Sequence, residues 1–593
     1  MKFKLLFFVL SLLLLTSCLK HDLPDSNQVN KERIDENVKK VFGTEFDANH
    51  DWCTTSAGKV IINDIPSGTK KIQLLAYISE EDGETSILVL NEIEPVKSSV
   101  ELSYDIPSAN LGLYVVLITN GNYVFKKVTD NTVSFTNNAR ALTRAISTDY
   151  ILPSGEFSIE NIEDSYSNIR GWVNGEKLYQ MNDYSSQKIS VADFSDEYKE
   201  IFRSVIFSYF KNGRKYNNLP LIQESGYYNE NVYPITTGDD PILVSPVYKN
   251  DGGYQEIVNS DLYYYYFKEN ELGDNPVEYL ENLPKYKAFP FNECIMDDDV
   301  ICKHTTYALI YWGDGIPEIG TVGSYQFPEG YKIGFMIRAK TTAENGKKQG
   351  ELYGDGRLNN HVNSYGNFKS SKLGEDGPRM GWLTVNNKMM LCCESGTDTD
   401  FNDIILEIEG GVEPIINIPE IEYNYYTFCF EDTELGDYDM NDVVIKARRL
   451  NSTQVEYSVV ACGAYDKLTI IGINGNTIKN NVEIHSMFGV SGGFINTVSG
   501  QSYSPITDIV NVNSSFSFLD ETTQPYIYDI TTGKTIKLSR KGEDPHGIMI
   551  PYDFRYPLEK VCVKNAYLQF NSWGENMVES TDWFKYPVEN LVF

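Results

Sequence analysis

Apolar and polar positions alternate with a period of two over much of this chain, the pattern of strands that bury one face. Between 51 and 137 the strand-like runs are Lys59–Ile62, Lys71–Tyr77, Ser86–Leu90 and Leu113–Ile118, divided by turns such as Pro66-Ser67-Gly68. That spacing predicts a small β-sandwich. Further on, Tyr331, Ile333, Phe335 and Ile337 alternate with Lys332, Gly334, Met336 and Arg338. Tyr263 to Phe267 reads as a strand with aromatic side chains on both faces, suited to core packing or to a sugar-stacking platform. A helical period is rare. Lys31 to Val41 predicts a short charged helix closed by Gly43. Ser195, acidic Asp196 and Glu197, the stripe Tyr198, Ile201, Phe202, Val205 and Tyr209, and the stop at Gly213 predict a second. The expected class is mainly β and multidomain, with β-sandwich-like modules and one short helical insertion.

The first residues follow a different pattern. Lys2 and Lys4 precede the apolar stretch Leu5–Leu15, which is short for a membrane span. Leu15-Thr16-Ser17-Cys18 then reads as a bacterial lipobox. The expectation is cleavage before Cys18, acylation of Cys18, and a firm hold on the membrane through two or more chains. The expected organisation is a signal peptide over 1–17, a tether over 18–50, the small sandwich over 51–137 and a linker over 138–148. A mixed region over 149–289 and two β-domains over 290–412 and 413–593 complete it. The expected location is the cell envelope, lipid-anchored to the outer membrane and facing either side of it.

Charge narrows the partners. The formal charge is −32 with 83 acidic residues, and it becomes more negative once Lys2 and Lys4 are removed. Such a surface repels phosphate backbones, so no nucleic-acid partner is expected. With 41 tyrosines and 29 phenylalanines, a glycan partner stays open beside a protein one. The eight cysteines after Cys18 show no zinc spacing. Cys294 with Cys302, and Cys392 or Cys393 with Cys429, are candidate disulfides; buried thiols fit the same positions.

One acidic loop is written twice. Asp398-Thr399-Asp400-Phe401-Asn402-Asp403 runs into Ile404-Ile405-Leu406, and Asp437-Tyr438-Asp439-Met440-Asn441-Asp442 runs into Val443-Val444-Ile445. Oxygen side chains at alternate positions of a tight loop suit a hard cation such as calcium, and the same residues also suit a plain tight turn. Against an EF-hand, Asp398, Asp400 and Asn402 take the first, third and fifth positions, as do Asp437, Asp439 and Asn441. The glycine expected next is Asp403 or Asp442. The twelfth position holds Glu409 in one copy and Arg448 in the other, so the EF-hand analogy fails. Each loop is expected to open a strand: Ile404, Leu406 and Ile408 share one buried face, as do Val443, Ile445 and Ala447. Cys392-Cys393-Glu394 echoes Cys429-Phe430-Glu431 upstream, which makes Glu394 and Glu431 candidate extra ligands.

The stretch Glu431 to Val444 resembles the opening motif of the LruC domain found in Bacteroidetes lipoproteins, and the tail Asp544-Pro545-His546-Gly547, Tyr552–Pro557, Ala566-Tyr567 and Trp573 fits it too. Tyr331–Phe335, Leu358-Asn359 and the Asp398 loop resemble an uncharacterised β-domain that often precedes it. The likeness spans roughly 290–593 and implies a surface lipoprotein with a calcium site, without an enzyme class. No G-x-S-x-G, H-E-x-x-H or phosphate-binding glycine loop is present. His21, His50, His304, His361, His485 and His546 are scattered and read as structural or solvated. The reading is therefore a non-catalytic, lipid-anchored, calcium-stabilised envelope protein binding a glycan or an envelope or host protein. A glycoside hydrolase using two carboxylates and a structural adhesin or fimbria-like subunit are the alternatives.

Overall fold

The computed structural model describes residues 26–79, 85–119, 122–135, 152–164, 177–180, 186–189, 199, 233–249, 260–291, 305–339, 351–359, 379–385, 388–394, 401–413, 415, 421–433 and 435–593. The fold is mainly β, spread over several separate sheets with few helices. The chain divides into two compact units. One holds 57–104 and 110–423; the other gathers 1–56, 105–109 and 424–593. The Ser195–Gly213 helix apart from residue 199, the Cys294–Cys302 pair, Cys18, Asp398 and Asp400 lie outside the described residues.

The runs predicted between 51 and 137 are strands of two sheets. In the four-stranded sheet, Thr69–Ser79 lies between Thr85–Ile93 and Asn110–Thr119, with Asn122–Lys127 at the edge. Its central residues Ile72, Leu74, Val115 and Val116 are wholly buried.

A two-stranded sheet and two six-stranded ones carry the rest of the first unit. In one, Ser260–Phe267 pairs antiparallel with Lys332–Ala339. Every residue of Ser260–Phe267 is buried, so the tyrosine strand is core on both faces and is no open sugar platform. Tyr264 and Tyr266 join Ile333, Phe335 and Ile337 in one core, while Tyr263, Tyr265, Phe267 and Met336 join another. In the second sheet, β1 (Lys388–Cys393) pairs antiparallel with β2 (Ile404–Glu409). The predicted face of β2, Ile404, Leu406 and Ile408, lies in the first of those cores.

The other unit is built on a five-stranded sheet. Its members are β3 (Tyr425–Phe430), β4 (Val443–Asn451), β5 (Gln454–Ala461), β6 (Ile506–Asn511) and β7 (Gly547–Ile550), in the order β6-β5-β4-β3-β7. Its two faces are covered separately. Val443, Ile445 and Ala447 pack on one side with Phe428, Val459, Ile470 and Phe518. Cys429, Val444, Ala461 and Ile548 pack on the other with Tyr567, Phe570, Trp573 and Trp583. The helix α1 (Ser26–Phe42) adds Val38 and Phe42 to that second face, and Gly43 ends it at φ 75°. A packed helix thus stands inside the stretch expected to be a tether.

The segment 105–109 is fixed in this unit by Asp105. Its carboxylate accepts from the Phe518 N–H at 3.0 Å and from the Ser517 hydroxyl, and lies 3.8 Å from the Arg449 guanidinium. Arg449 is 1% exposed and donates to the Phe516 carbonyl at 2.6 Å. Among the described residues Cys53, Cys392, Cys393, Cys429, Cys462 and Cys562 are free thiols. Cys392 and Cys393 are buried in β1 and Cys429 in β3, each as a free thiol and not in the candidate disulfide. Burial pushes the Cys392 and Cys429 thiols up.

Candidate metal centre

The two acidic loops close equivalent hairpins. Cys393 pairs with Ile404 across β1 and β2, as Phe430 pairs with Val443 across β3 and β4. Phe401 and Met440 occupy the same place in the repeat, and both are left-handed, at φ 57° and 58°. Tyr438 is left-handed too, at φ 55°. These bends replace the glycine that an EF-hand needs two residues later. Left-handed backbone is costly outside glycine, and burial offsets it: Phe401, Tyr438 and Met440 are each at most 2% exposed. Phe401, Tyr438 and Met440, intervening residues of D-x-D-x-N-D, therefore serve the core. Tyr438 meets Phe42 of α1 at 5.1 Å between ring centroids, and its hydroxyl donates to Asp544 at 3.0 Å. Asn37 of α1 donates to the Gly436 carbonyl at 3.1 Å.

The upstream glutamates hold these turns. Phe401 N–H donates to Glu394 Oε2 at 3.2 Å. In the second copy Glu431 accepts twice, from Met440 N–H at 2.6 Å and from Tyr438 N–H at 3.1 Å. Glu394 and Glu431 are both buried at the ends of their strands. The wider echo of Cys-Glu and acidic loop is thus one structural unit, a hairpin whose strand-end carboxylate receives the N–H groups of the turn.

In the second copy the carboxylates converge. One oxygen each from Glu431, Asp437 and Asp439 lies within 4.8 Å of the others. Calcium takes oxygens at about 2.3–2.6 Å, so two ligands on opposite sides of one ion stand about that far apart. Asp437 is exposed while Glu431 and Asp439 are buried, which leaves the cluster open to solvent on one side. Asn441 is wholly buried; its amide nitrogen donates to the Pro557 carbonyl at 3.1 Å, and its Oδ1 has no hydrogen-bond partner. A Cβ on Gly463 would stand 2.1 Å from that Oδ1 and 3.1 Å from Glu559 Oε2, so both oxygens face the space that the missing side chain leaves. Asp439 is oriented by Lys560 N–H, which donates to Oδ2 at 2.7 Å. Asp442 turns aside and accepts the Asp432 N–H at 2.7 Å.

The electrostatics are those of a site short of positive charge. Burial, then Asp437, pushes Asp439 up to about 7. Burial followed by Asp442 and Asp439 raises Glu431 well above the carboxylate range. Burial and Asp432 do the same to Asp442, and Glu559 is raised by burial with Asp437 contributing. Like charges gathered in a low dielectric hold protons unless a cation replaces them.

Of the residues expected from sequence, Asp437 and Asp439 belong to the converging group, and Asn441 and Asp442 follow them in the same loop. In the first copy Asn402 is buried and Asp403 N–H donates to the Cys393 carbonyl at 3.1 Å. Glu409, the EF-hand twelfth position, lies at the end of β2, 3.7 Å from Lys388 Nζ; Arg448 pairs with Glu456 at 2.8 Å. Glu559 and Gly463 have no signal in the sequence, since they reach the site through chain folding alone. Gly463→Ala is expected to cost about 1–3 kcal/mol through overpacking against Asn441, and to weaken any cation-dependent stabilisation in the same thermal melt.

One constellation has the outline of a nucleophile, base and acid. Cys462 Sγ lies 3.8 Å from His485 Nε2, and His485 Nδ1 lies 2.6 Å from Glu483. His485 Nε2 also meets the Gly493 carbonyl at 3.0 Å, so both ring nitrogens are committed. Cys462 is wholly buried and burial raises its thiol. His50 is structural as well: it accepts the Trp52 N–H at 2.9 Å on Nδ1 and meets the Trp573 carbonyl at 2.9 Å on Nε2.

A family described as a domain of unknown function (DUF4842) matches residues 503–584. That stretch supplies Glu559 and Lys560, while the acidic loop lies before it. No curated protein and no solved structure matches the chain.

Proposed function

We propose that this chain is a non-catalytic, lipid-anchored protein of the cell envelope whose second unit is locked by a divalent cation, calcium, and whose β surfaces bind a glycan or an envelope or host protein. The convergence of Glu431, Asp437 and Asp439 within 4.8 Å carries the cation reading. The unpartnered, buried Asn441 Oδ1 supports it, as an oxygen that a cation would use. The open side at Asp437 supplies an entry path. Lys2 to Cys18 and the LruC-like motifs support the anchored location, with Cys18 as the acylated residue.

The cation would bridge the turn to the Glu559–Lys560 segment, tying the loop between β3 and β4 to a distant part of the unit. Such a lock suits a protein working outside the cell, where calcium is plentiful and modest affinity suffices. Calcium added to chelator-treated chain at about a hundred times its dissociation constant should stabilise it by about 2.7 kcal/mol, or about 5–10 °C in melting temperature for a unit of this size. Asp437→Asn with Asp439→Asn should remove that gain. A wild-type melt that ignores both calcium and chelator would end the proposal.

A further inference from the structure

A cavity of about 560 Å³ opens in the first unit, in the size range of small-molecule sites. Its floor is tyrosine. Tyr266 and Tyr286 stack with centroids 5.4 Å apart and 6° between their planes, and Tyr331 lies beside them. The floor is held rigid from behind. Tyr266 hydroxyl accepts the Trp312 N–H at 2.9 Å and donates to the Gly313 carbonyl at 3.0 Å. Tyr311 and Tyr331 hydroxyls both donate to Asp314, which these bonds and Lys268 hold below the usual carboxylate range.

The rim is acidic. Glu271, Asp274, Glu278 and Asp314 line the cavity, and no lysine or arginine does so among the described residues. Leu272, Leu283 and Ile316 supply apolar wall between them. Ile316 is 73% exposed, an isolated apolar side chain at the mouth.

The unit's own lysines show what such walls attract. Lys268 Nζ sits 4.6 Å from the centre of the Tyr331 ring and 3.3 Å from Asp314 Oδ2, at the edge of the cavity. Lys285 Nζ, buried nearby, lies 5.0 Å from the Tyr265 ring and donates to the Leu280 and Leu283 carbonyls at 2.9 Å each. Ammonium over tyrosine, with oxygen acceptors beside it, thus recurs in this unit, and Lys332 over Tyr233 beside Glu269 is a further case.

We propose that the cavity binds an alkylammonium group: a cationic head on an apolar stem, as in a lysine side chain or a free polyamine. The stem would lie along Leu272, Leu283 and Ile316, and the head would face the rim carboxylates and tyrosine rings. Charge complementarity selects this ligand over others. An anion is repelled, and a neutral sugar would bring no counter-charge to Glu271, Asp274 and Glu278, the rim carboxylates other than the Lys268-paired Asp314. This inference is independent of the cation site in the other unit.

Titration calorimetry on the full chain tests it with two probes, spermidine and the capped peptide acetyl-Gly-Lys-Gly-amide. Controls are the same peptide with norleucine for lysine, and maltose. Saturable one-site binding is expected for at least one amine, weakening with added salt and falling tenfold or more in Asp274→Asn with Glu278→Gln. Both side chains are exposed, so the double variant should melt as wild type does. Binding of spermidine alone identifies a free polyamine as ligand; binding of the peptide identifies a lysine presented by a partner. The proposal falls if neither amine binds saturably. It also falls if the double variant binds them as tightly as wild type, or if maltose or the norleucine peptide binds as well as the amines.

Discussion

Glu431→Ala is expected to destabilise the unit containing 424–593 by about 2–4 kcal/mol, read as a lower urea midpoint at unchanged slope. Two buried N–H groups, of Tyr438 and Met440, end on this one carboxyl group. Each would lose its acceptor, at about 1–3 kcal/mol apiece. Losing a carboxyl group whose burial among Asp442, Asp439 and Asp437 is itself unfavourable returns part of that, which is why the total stays below the sum of the losses. Glu431→Gln separates the two effects. Its amide keeps one acceptor oxygen but turns an NH₂ toward the second N–H, so it should fall between wild type and Ala. It also removes a charged ligand, so calcium should stabilise it little. A Glu431→Ala midpoint equal to wild type would mean that water replaces the carboxyl group and that the turn does not depend on it.

The consequence reaches beyond the loop. Tyr438 and Met440 are core residues as well as turn residues, and Phe42 of α1 packs on Tyr438. Loosening the turn therefore loosens the seat of the helix nearest the expected anchor. A bound cation would act in the opposite sense, holding the turn, its two buried side chains and that helix together.

What the chain reveals before folding follows the range of the interactions. Period-two alternation located β2 and β4 and their buried faces, because strand amphipathicity is local. The echo of Glu394 and Glu431 was legible because repeated hairpins repeat the same backbone bonds. The left-handed turns were not, since Phe401, Tyr438 and Met440 carry no glycine signal and are held in place by tertiary burial. Glu559 arrives from more than a hundred residues away and Gly463 is one glycine among 44, so neither could be picked out. The tyrosine strand misleads for a related reason: aromatics on both faces fit a platform or a doubly covered strand, and only the packing decides. The acidic cavity rim gathers residues from two segments, 271–278 and 314, that are unremarkable one at a time.

Without a divalent cation, stability should fall as pH rises from about 4 to about 7, and calcium should cancel the fall. Asp439 carries the sign. In the unfolded chain its carboxyl group titrates near 3.8; in the folded unit burial and Asp437 push it up to about 7. Below both values the two states are protonated alike and there is no penalty. Between them the unfolded chain has released a proton that the folded chain still holds, so unfolding gains with each step in pH. Above about 7 the penalty is complete, on the order of 4 kcal/mol for this group if it is undivided with its neighbours. Glu431, Asp442 and Glu559 are raised as well and add in the same direction. His50 opposes them below neutrality, because burial lowers it and acid must charge it for unfolding. The measurement is therefore a difference: melting temperature against pH for wild type minus Asp439→Asn, in chelator and in calcium. In chelator the difference should turn steadily against wild type from pH 4 to pH 7. In calcium, which binds the deprotonated carboxylates and gains affinity over the same window, it should turn in favour of wild type. Parallel curves in the two solutions would show that Asp439 neither holds its proton in the empty site nor yields it to a cation.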